Sequence, residues 1–379
     1  MNIYNYTKNK LLQSSYKRFL STTQTEQEFQ KYVQVTVLGA HSPLGRFTSL
    51  LLKQNPLVSV LRLQGDNNVN NLAVDLSYID TKCKVQAFAG PSLEIVSKSI
   101  RSSDIILLLG VENLKEDTTI AERVMREGKR VYEVAKQCIS YSPRSIIVVA
   151  VPPVSVTTIL VEQAFKQSHW YHPGRIVGSA AIAQAKANTL MARGQDLNPQ
   201  ICKVPILGGP DVDLAVPLFS KAIPVELPES HAKQLSFKYR GIKEHEFPKI
   251  MGYPNYVETC PSAEAFALWN LISNIALGLC GDQNAYCNVY VRTNLMNLIC
   301  KHLVTTVKFS RGGIVHNCGI PPLTKLELQM FERAALDIKK REKIAGEFVE
   351  YLEKGRSQPP PFKQKEIQEK KILQQTVVR

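Results

Sequence analysis

Apolar segments alternate with amphipathic ones through the first half of the chain. The run Val33–Leu38 predicts a buried strand, and residues 47–53 predict a helix. The same alternation predicts strands at 60–63, 84–88, 104–110 and 145–151 and helices at 92–100 and 121–138. Because the strands are separated by crossover segments, this order predicts a doubly wound parallel sheet.

The second half mixes both kinds of element in a less regular order. Helices are expected at 156–167, 180–193 and 263–279, strands near Val204 and Val289, and a long charged helix at 324–354. The pattern therefore predicts an α/β protein, a doubly wound parallel sheet followed by a mixed α+β domain. We place the first domain at residues 33–153, the second at 154–354 and a flexible basic tail at 355–379.

The turn after the first strand, residues 39–45 (GAHSPLG), carries the most specific motif. A strand, a glycine-rich turn and a helix form the Rossmann-type entry to a dinucleotide site, in which backbone N–H groups approach the pyrophosphate. Gly39 and Gly45 are the candidate cofactor-binding residues. Ser42 and Pro43 fill the middle of the turn, and Pro43 has no N–H to donate. His41 could touch a bound anion or remain a solvated turn residue.

The acidic residue that binds the ribose in such a site, about 20 positions after the turn, is also displaced. Gly65 stands at the expected ribose position, and Asp66 could serve only if the register slips by one residue. The turn therefore indicates the fold more clearly than it indicates a ligand.

The two ends of the chain carry much of its positive charge. Residues 1–20 hold four basic and no acidic side chains, and residues 355–379 hold six basic and two acidic ones, within a net charge of +14. The basic, hydroxyl-rich start predicts a mitochondrial transit peptide at residues 1–21, the alternative being a disordered basic N-terminus. The smaller excess on the body argues against nucleic acid as a partner.

Eight cysteines are scattered along the chain without a CxxC pair. They predict reduced thiols, with neither a disulfide framework nor a metal site. No apolar run is long enough to span a bilayer, so no membrane insertion is expected.

Several segments resemble mitochondrial-type malate dehydrogenase across nearly all of residues 33–354. The matches are residues 37–40 (VLGA), 50–53 (LLLK), 56–59 (PLVS), 73–81 (AVDLSYIDT), 187–189 (ANT) and 204–209 (VPILGG). The resemblance implies a Rossmann NAD domain and a catalytic domain, a homodimer in the mitochondrial matrix, and interconversion of malate and oxaloacetate with NAD.

The residues that this chemistry needs are missing from the matching positions. A histidine must take the hydroxyl proton as hydride leaves, and an aspartate must orient that histidine. The resemblance places the histidine at Pro210 and the aspartate at Ala183. Neither replacement can move a proton.

The positions that the resemblance assigns to the substrate are altered as well. It implies two arginines that bind the substrate carboxylates, and their positions hold Asn113 and Thr119. The position of a third arginine holds Lys186, which keeps the charge but cannot form the two parallel hydrogen bonds of a guanidinium. The resemblance also implies an asparagine at the end of the strand predicted at 145–151, and this position holds Val151.

The sequence leaves three hypotheses about function open. The first is a catalytically impaired mitochondrial relative of malate dehydrogenase that serves as a homodimer, a partner of an active relative or a subunit of a larger assembly. The second is an active dehydrogenase with a rearranged site, in which Asp211 or Asp213 replaces the base. The third is a ribonucleoprotein component. Ser262 matches a family pair near the nicotinamide, or it caps the helix that follows.

Overall fold

The computed structural model describes residues 32–111, 118–225, 227–241, 261–296, 299–354 and 360–364. The predicted transit peptide at 1–21 lies outside the described residues, as do Asn113 and most of the predicted tail. Within that tail, residues 360–364 are described and pack against the rest of the protein, so flexibility stays a prediction for the remainder.

Eleven strands lie in the described part of the chain. They are β1 Val33–Leu38, β2 Val58–Gly65, β3 Lys84–Ala89, β4 Ile105–Leu109, β5 Ile146–Ala150, β6 Ile176–Ser179, β7 Ile206–Gly208, β8 Ala215–Pro217, β9 Tyr286–Arg292, β10 His302–Ser310 and β11 Gly313–Asn317.

Nine α-helices of eight or more residues accompany these strands in the same ranges. They are α1 Pro43–Lys53, α2 Asn68–Ser77, α3 Leu93–Ile100, α4 Ile120–Tyr141, α5 Val154–Lys166, α6 Ala181–Gly194, α7 Glu229–Gly241, α8 Ser262–Leu279 and α9 Lys325–Lys354.

All eleven strands form one sheet. Its order is β3-β2-β1-β4-β5-β6-β9-β10-β7-β8, with β11 paired to β10. The first six strands are parallel, which is the strand order of a doubly wound Rossmann sheet. Antiparallel pairing begins where β6 meets β9. The predicted fold class is therefore confirmed, and the predicted boundary at 153/154 falls between β5 and α5, before the last parallel strand.

The central strands are buried on both faces because helices cover both sides of the sheet. Ile106 and Leu108 of β4 point into one hydrophobic cluster, whereas Ile105, Leu107 and Leu109 point into the other. Helices α1 and α8 cover the second face, and α4, α5 and α9 cover the first. Continuous apolar runs are expected for such strands.

Several boundaries differ from the sequence-based prediction. Helix α1 begins at Pro43 instead of residue 47, because Pro43 occupies the first helical position and Ser42 caps it. Helix α2 and strands β6, β10 and β11 had no predicted counterpart. Their polar or mixed sequences give neither a clean helical stripe nor a continuous apolar run.

None of the helices described is both long and apolar enough to cross a membrane. The seven cysteines in the described ranges all have free thiols, and five of them are buried.

Candidate functional site

The two glycines of the β1–α1 turn are required by backbone geometry. Gly39 has a φ of +88°, in the region that disfavours side chains. A Cβ at Gly45 would lie 2.7 Å from Ala40 Cα and closer still to the Gly39 carbonyl oxygen. Helix α1 therefore packs directly on the turn, and this packing alone accounts for a glycine at each position.

The hydrogen-bond donors of the turn are largely used within the protein. The backbone N–H groups of Gly39 and Ala40 donate to the Gln64 carbonyl at 3.0 and 2.9 Å. Ser42 N–H donates to the Gly39 carbonyl at 3.1 Å, and Gly45 N–H donates to Ser42 Oγ at 3.1 Å. Pro43 contributes no N–H. Ser42 Oγ thus caps the helix by accepting from the Gly45 N–H, a donor of the kind that a pyrophosphate would need.

His41 fills the space beside the expected ribose position. A Cβ at Gly65 would lie 2.5 Å from His41 Nδ1 and 2.6 Å from a methyl group of Val69. The imidazole therefore occupies the space into which an acidic side chain at residue 65, the end of β2, would extend. His41 Nδ1 is buried and has no hydrogen-bond partner. His41, for which a solvated position in the turn was one expectation, is thus packed against the end of β2.

Asp66 has a local structural role one residue further on. Its two carboxylate oxygens accept from the backbone N–H and the side-chain amide of Asn68 at 3.0 and 3.1 Å, at the start of α2. Because β2 ends at Gly65, the register does not slip to place Asp66 at the strand end. The residues present do not fit a dinucleotide in the usual Rossmann manner.

Ala183 lies in the apolar core instead of beside a proton acceptor. It is fully buried on α6, and its backbone carbonyl accepts a hydrogen bond from Tyr239 Oη of α7 at 3.3 Å. Pro210 is buried directly after Gly209, at the end of β7. No titratable side chain therefore stands at either position that the resemblance assigns to proton transfer.

Asp211, which follows Pro210, holds the N-terminus of α5. Its carboxylate accepts from Val154 N–H at 2.9 Å, from Ser155 N–H at 3.2 Å and from Ser155 Oγ. Arg341 of α9 approaches the same carboxylate at 3.5 Å. Burial raises the pKa of Asp211, and the Arg341 charge opposes that rise. This carboxylate caps a helix and joins it to α9.

Asp213 forms the outer part of the same network. Its Oδ2 lies 2.6 Å from Arg341 Nη2, but its side chain is 62% exposed. Arg341 itself is buried on α9 and also donates to Ser155 Oγ at 3.4 Å. The two aspartates proposed as substitute bases are therefore both paired with one arginine.

Thr119 caps helix α4. Its Oγ1 accepts from Glu122 N–H at 3.2 Å, and the Glu122 carboxylate accepts from Thr119 N–H at 3.3 Å, which together form a capping box. Asn113, the other position assigned to a substrate arginine, lies outside the described residues. Thr119 thus begins a helix and offers no cation.

Val151 and Lys186 complete the altered positions. Val151 is fully buried after β5, and its carbonyl accepts from Thr157 Oγ1 at 2.6 Å. Lys186 is half-buried on α6 and retains a positive charge. Ser262, expected as the cap of α8, is instead its first helical residue, and Pro261 holds the cap position.

A buried charged cluster formed by Glu162, Lys166, Arg292, His302 and Glu342 was missed by sequence reasoning. His302 of β10 is held between Glu162 of α5, through Nε2, and Glu342 of α9, through Nδ1 at 2.8 Å. Arg292 and Lys166 also contact the Glu162 carboxylate, at 3.0 and 2.8 Å. Burial lowers the pKa of His302, but the two carboxylates raise it above its ordinary value.

The members of this cluster come from four separate elements, so no local sequence motif predicts it. In the described ranges, no group of three histidine, cysteine or acidic side chains is arranged to hold a metal ion. The cluster joins α5, β9, β10 and α9, and its carboxylates are already paired.

The strand order, the glycine turn and the antiparallel second half define a Rossmann-type fold, and solved malate and lactate dehydrogenases have a similar fold. The apo malate dehydrogenase of Picrophilus torridus superposes with a TM-score of 0.69 at 16% identity, covering 86% of this chain and 99% of that one. The Eimeria maxima lactate dehydrogenase with NADH and oxamate gives 0.68 at 12% identity, covering 89% and 98%.

The sequence itself is similar to that of mitochondrial malate dehydrogenase. The Homo sapiens protein is 26% identical over 324 residues, covering 85% of this chain and 94% of the relative. The Bos taurus protein is 25% identical over the same length with the same coverage. No protein-family model matches the chain.

Proposed function

We propose that this chain is a mitochondrial malate dehydrogenase homologue that does not oxidise malate. One observation carries this proposal: the two positions assigned to proton transfer hold Pro210 and Ala183, and the adjacent carboxylate of Asp211 is bound to α5. General acid and base catalysis alone contributes about 10² to 10⁴-fold to such a reaction. Loss of both groups removes that contribution.

Asp211 does not replace the missing base in this proposal. A general base must be free to form a hydrogen bond with the substrate hydroxyl. The Asp211 carboxylate already accepts from Val154 and Ser155 and lies beside Arg341. Releasing it would uncap α5 and remove one of the two carboxylates that pair with the buried Arg341, a cost of about 2–3 kcal/mol.

The cofactor turn supports the same reading. A bound NAD would supply hydride chemistry, but Gln64 and Ser42 accept hydrogen bonds from N–H groups of the turn, and His41 lies against Gly65. We therefore propose that NAD binding is lost together with proton transfer. No step of a reaction is assigned to this site.

We further propose that the protein resides in the mitochondrial matrix. The curated relatives described above are named as mitochondrial proteins. Residues 1–21 have the basic, acid-free composition of a transit peptide. Import of a fluorescent fusion of residues 1–21 tests this directly, with a matched fusion in which Arg18 is changed to Glu.

The partner proposed for this chain is a second copy or an active relative. Helices α1 and α8 pack together, with Asn55 Nδ2 donating to Ser273 Oγ at 2.7 Å. Each presents an exposed phenylalanine, Phe47 at 37% and Phe266 at 44% exposure. We propose that these two rings lie in the surface that contacts the partner.

Malate oxidation by the purified full chain tests the catalytic proposal. With NAD⁺ and malate, we expect a rate at least about 10²-fold below that of the bovine relative assayed in parallel. Robust turnover that saturates with malate would overturn the proposal.

Sedimentation tests the partner proposal separately. Phe266→Glu should shift the protein toward monomer, whereas Phe237→Glu on α7, at a site 58% exposed, should not. A wild-type protein that sediments as a monomer, both alone and mixed with the bovine relative, would refute the interface.

A further inference from the structure

Residues 360–364 lie against the two long helices α4 and α9. Pro360 is buried, and residues 361–364 form a helical turn in which the N–H groups of Lys363 and Gln364 donate to the Pro360 carbonyl at 2.9 and 3.1 Å. This short segment is therefore an ordered part of the fold, although it follows the last long helix.

An aromatic contact anchors the segment. The Phe362 ring lies 6.4 Å from that of Phe348, which lies 6.1 Å from that of Tyr351. Phe348 in turn covers Gly128 of α4, where a Cβ would lie 2.6 Å from Phe348 Cε1. Phe362 thus packs beside the Phe348 ring that contacts α4 at Gly128.

A charged contact joins the same segment to the start of α4. Lys363 Nζ lies 3.5 Å from Glu122 Oε1. The other carboxylate oxygen, Glu122 Oε2, accepts from Thr119 N–H in the capping box. The lysine side chain is only 20% exposed, so the pair is partly shielded from water. Lys363 therefore helps to hold the carboxylate that closes the helix N-terminus.

We propose that residues 360–364 form an intramolecular strap that fixes the N-terminal turn of α4. The strap acts through Phe362 on Phe348 of α9, which contacts α4 at Gly128, and through Lys363 on the capping box of α4. It orders the helix at Thr119, where the resemblance places a substrate arginine, and it needs no ligand to do so. This inference does not depend on whether the chain binds NAD.

The short connection favours such a strap. Only residues 355–359 separate Lys354, the end of α9, from Pro360. Closing a short loop costs little chain entropy, so even modest contacts keep the segment docked.

Hydrogen exchange on the full chain tests the strap. Phe362→Ala should raise the exchange rates of amides 122–128 by about tenfold, and Lys363→Glu by about threefold, because each removes one anchor. Amides of β4 and β5 should keep their rates. Phe362→Tyr and Lys363→Arg should restore most of the protection.

Two matched controls distinguish the strap from a general effect. Phe237→Ala removes an exposed aromatic ring from α7, and Lys98→Glu reverses an exposed lysine that pairs with Glu94 at 2.7 Å on α3. Both should leave amides 122–128 unchanged. Unchanged exchange there in Phe362→Ala and Lys363→Glu would overturn the proposal, as would an equal rise in β4 and β5.

Discussion

The turn at residues 39–45 and the region around Asp211 differ from the expected dehydrogenase site in different ways. The turn has the two glycines that such a site needs, because Gly39 and Gly45 allow α1 to pack on it, and the differences lie in the residues that line it. Around Asp211 the expected polar positions hold a helix cap, a buried arginine pair and apolar core. The glycines that the backbone requires are present, whereas the positions expected to carry chemistry have structural roles.

Restoring the acidic residue at Ala183 should have the largest effect on stability. Ala183→Asp places a carboxylate in a fully buried apolar position beside Tyr239, which costs about 3–5 kcal/mol. Urea unfolding measures this loss. Adding Pro210→His should not recover malate oxidation, since the surrounding space is packed. Recovery of activity in the double variant would show that the site is still open.

Gly45→Ala should be the next most damaging change. Its Cβ would meet backbone atoms of Ala40 at 2.7 Å, and backbone cannot move aside as a side chain can, so we expect a loss of about 3 kcal/mol. Gly346→Ala on α9 is the matched control, because no atom lies within 4 Å of its Cβ. That helical change should stabilise slightly. Equal effects in both variants would contradict the packing account of the turn.

Substitutions of the two aspartates after Pro210 should lower the free energy of unfolding by very different amounts. Asp211→Asn loses the charge-assisted cap of α5 and leaves Arg341 less well paired, a cost of about 2–3 kcal/mol. Asp213→Asn affects an exposed pair and should cost less than about 1 kcal/mol. Thermal or urea unfolding of both variants checks the ranking, and a larger loss at Asp213 would reverse the assignment of roles.

Substitution of His302 in its buried cluster should give the most pH-dependent effect. Its carboxylate partners raise the folded-state pKa of His302 above the unfolded value, despite burial. The stabilisation that a charged His302 contributes is therefore complete below the pKa of histidine in the unfolded chain, about 6.5. It is lost as pH rises through the pKa of His302 in the folded protein. The free energy of unfolding of wild type should exceed that of His302→Gln by more at acidic than at alkaline pH.

The exposed His316 provides the matched control for that pH series, because His316→Gln should show no such difference. A stability advantage of wild type over His302→Gln that grows toward alkaline pH would contradict a charged His302.

Sequence reasoning succeeded where local pattern determines structure. The continuous apolar runs of β1, β4 and β5 identified the parallel sheet, because strands covered on both faces have few polar positions. It was less successful at α1, where Pro43 at the first helical position extends the helix toward the turn. The spacing of Thr119 and Glu122 could have predicted the cap of α4.

The remaining features depend on contacts between distant residues. Asp211 caps a helix that begins more than 50 residues earlier, and His302 contacts Glu162 across 140 positions. The position of His41 against Gly65 requires the turn and the strand end to be placed together. No single segment contains the information for these contacts, so only the fold reveals them.

Calorimetric titration of NADH into the purified full chain tests the central claim most directly. Because the turn uses its donors internally and His41 lies against Gly65, we predict no saturable heat at NADH concentrations that saturate the bovine relative. Saturable binding with micromolar affinity would contradict the claim that the cofactor site has been lost.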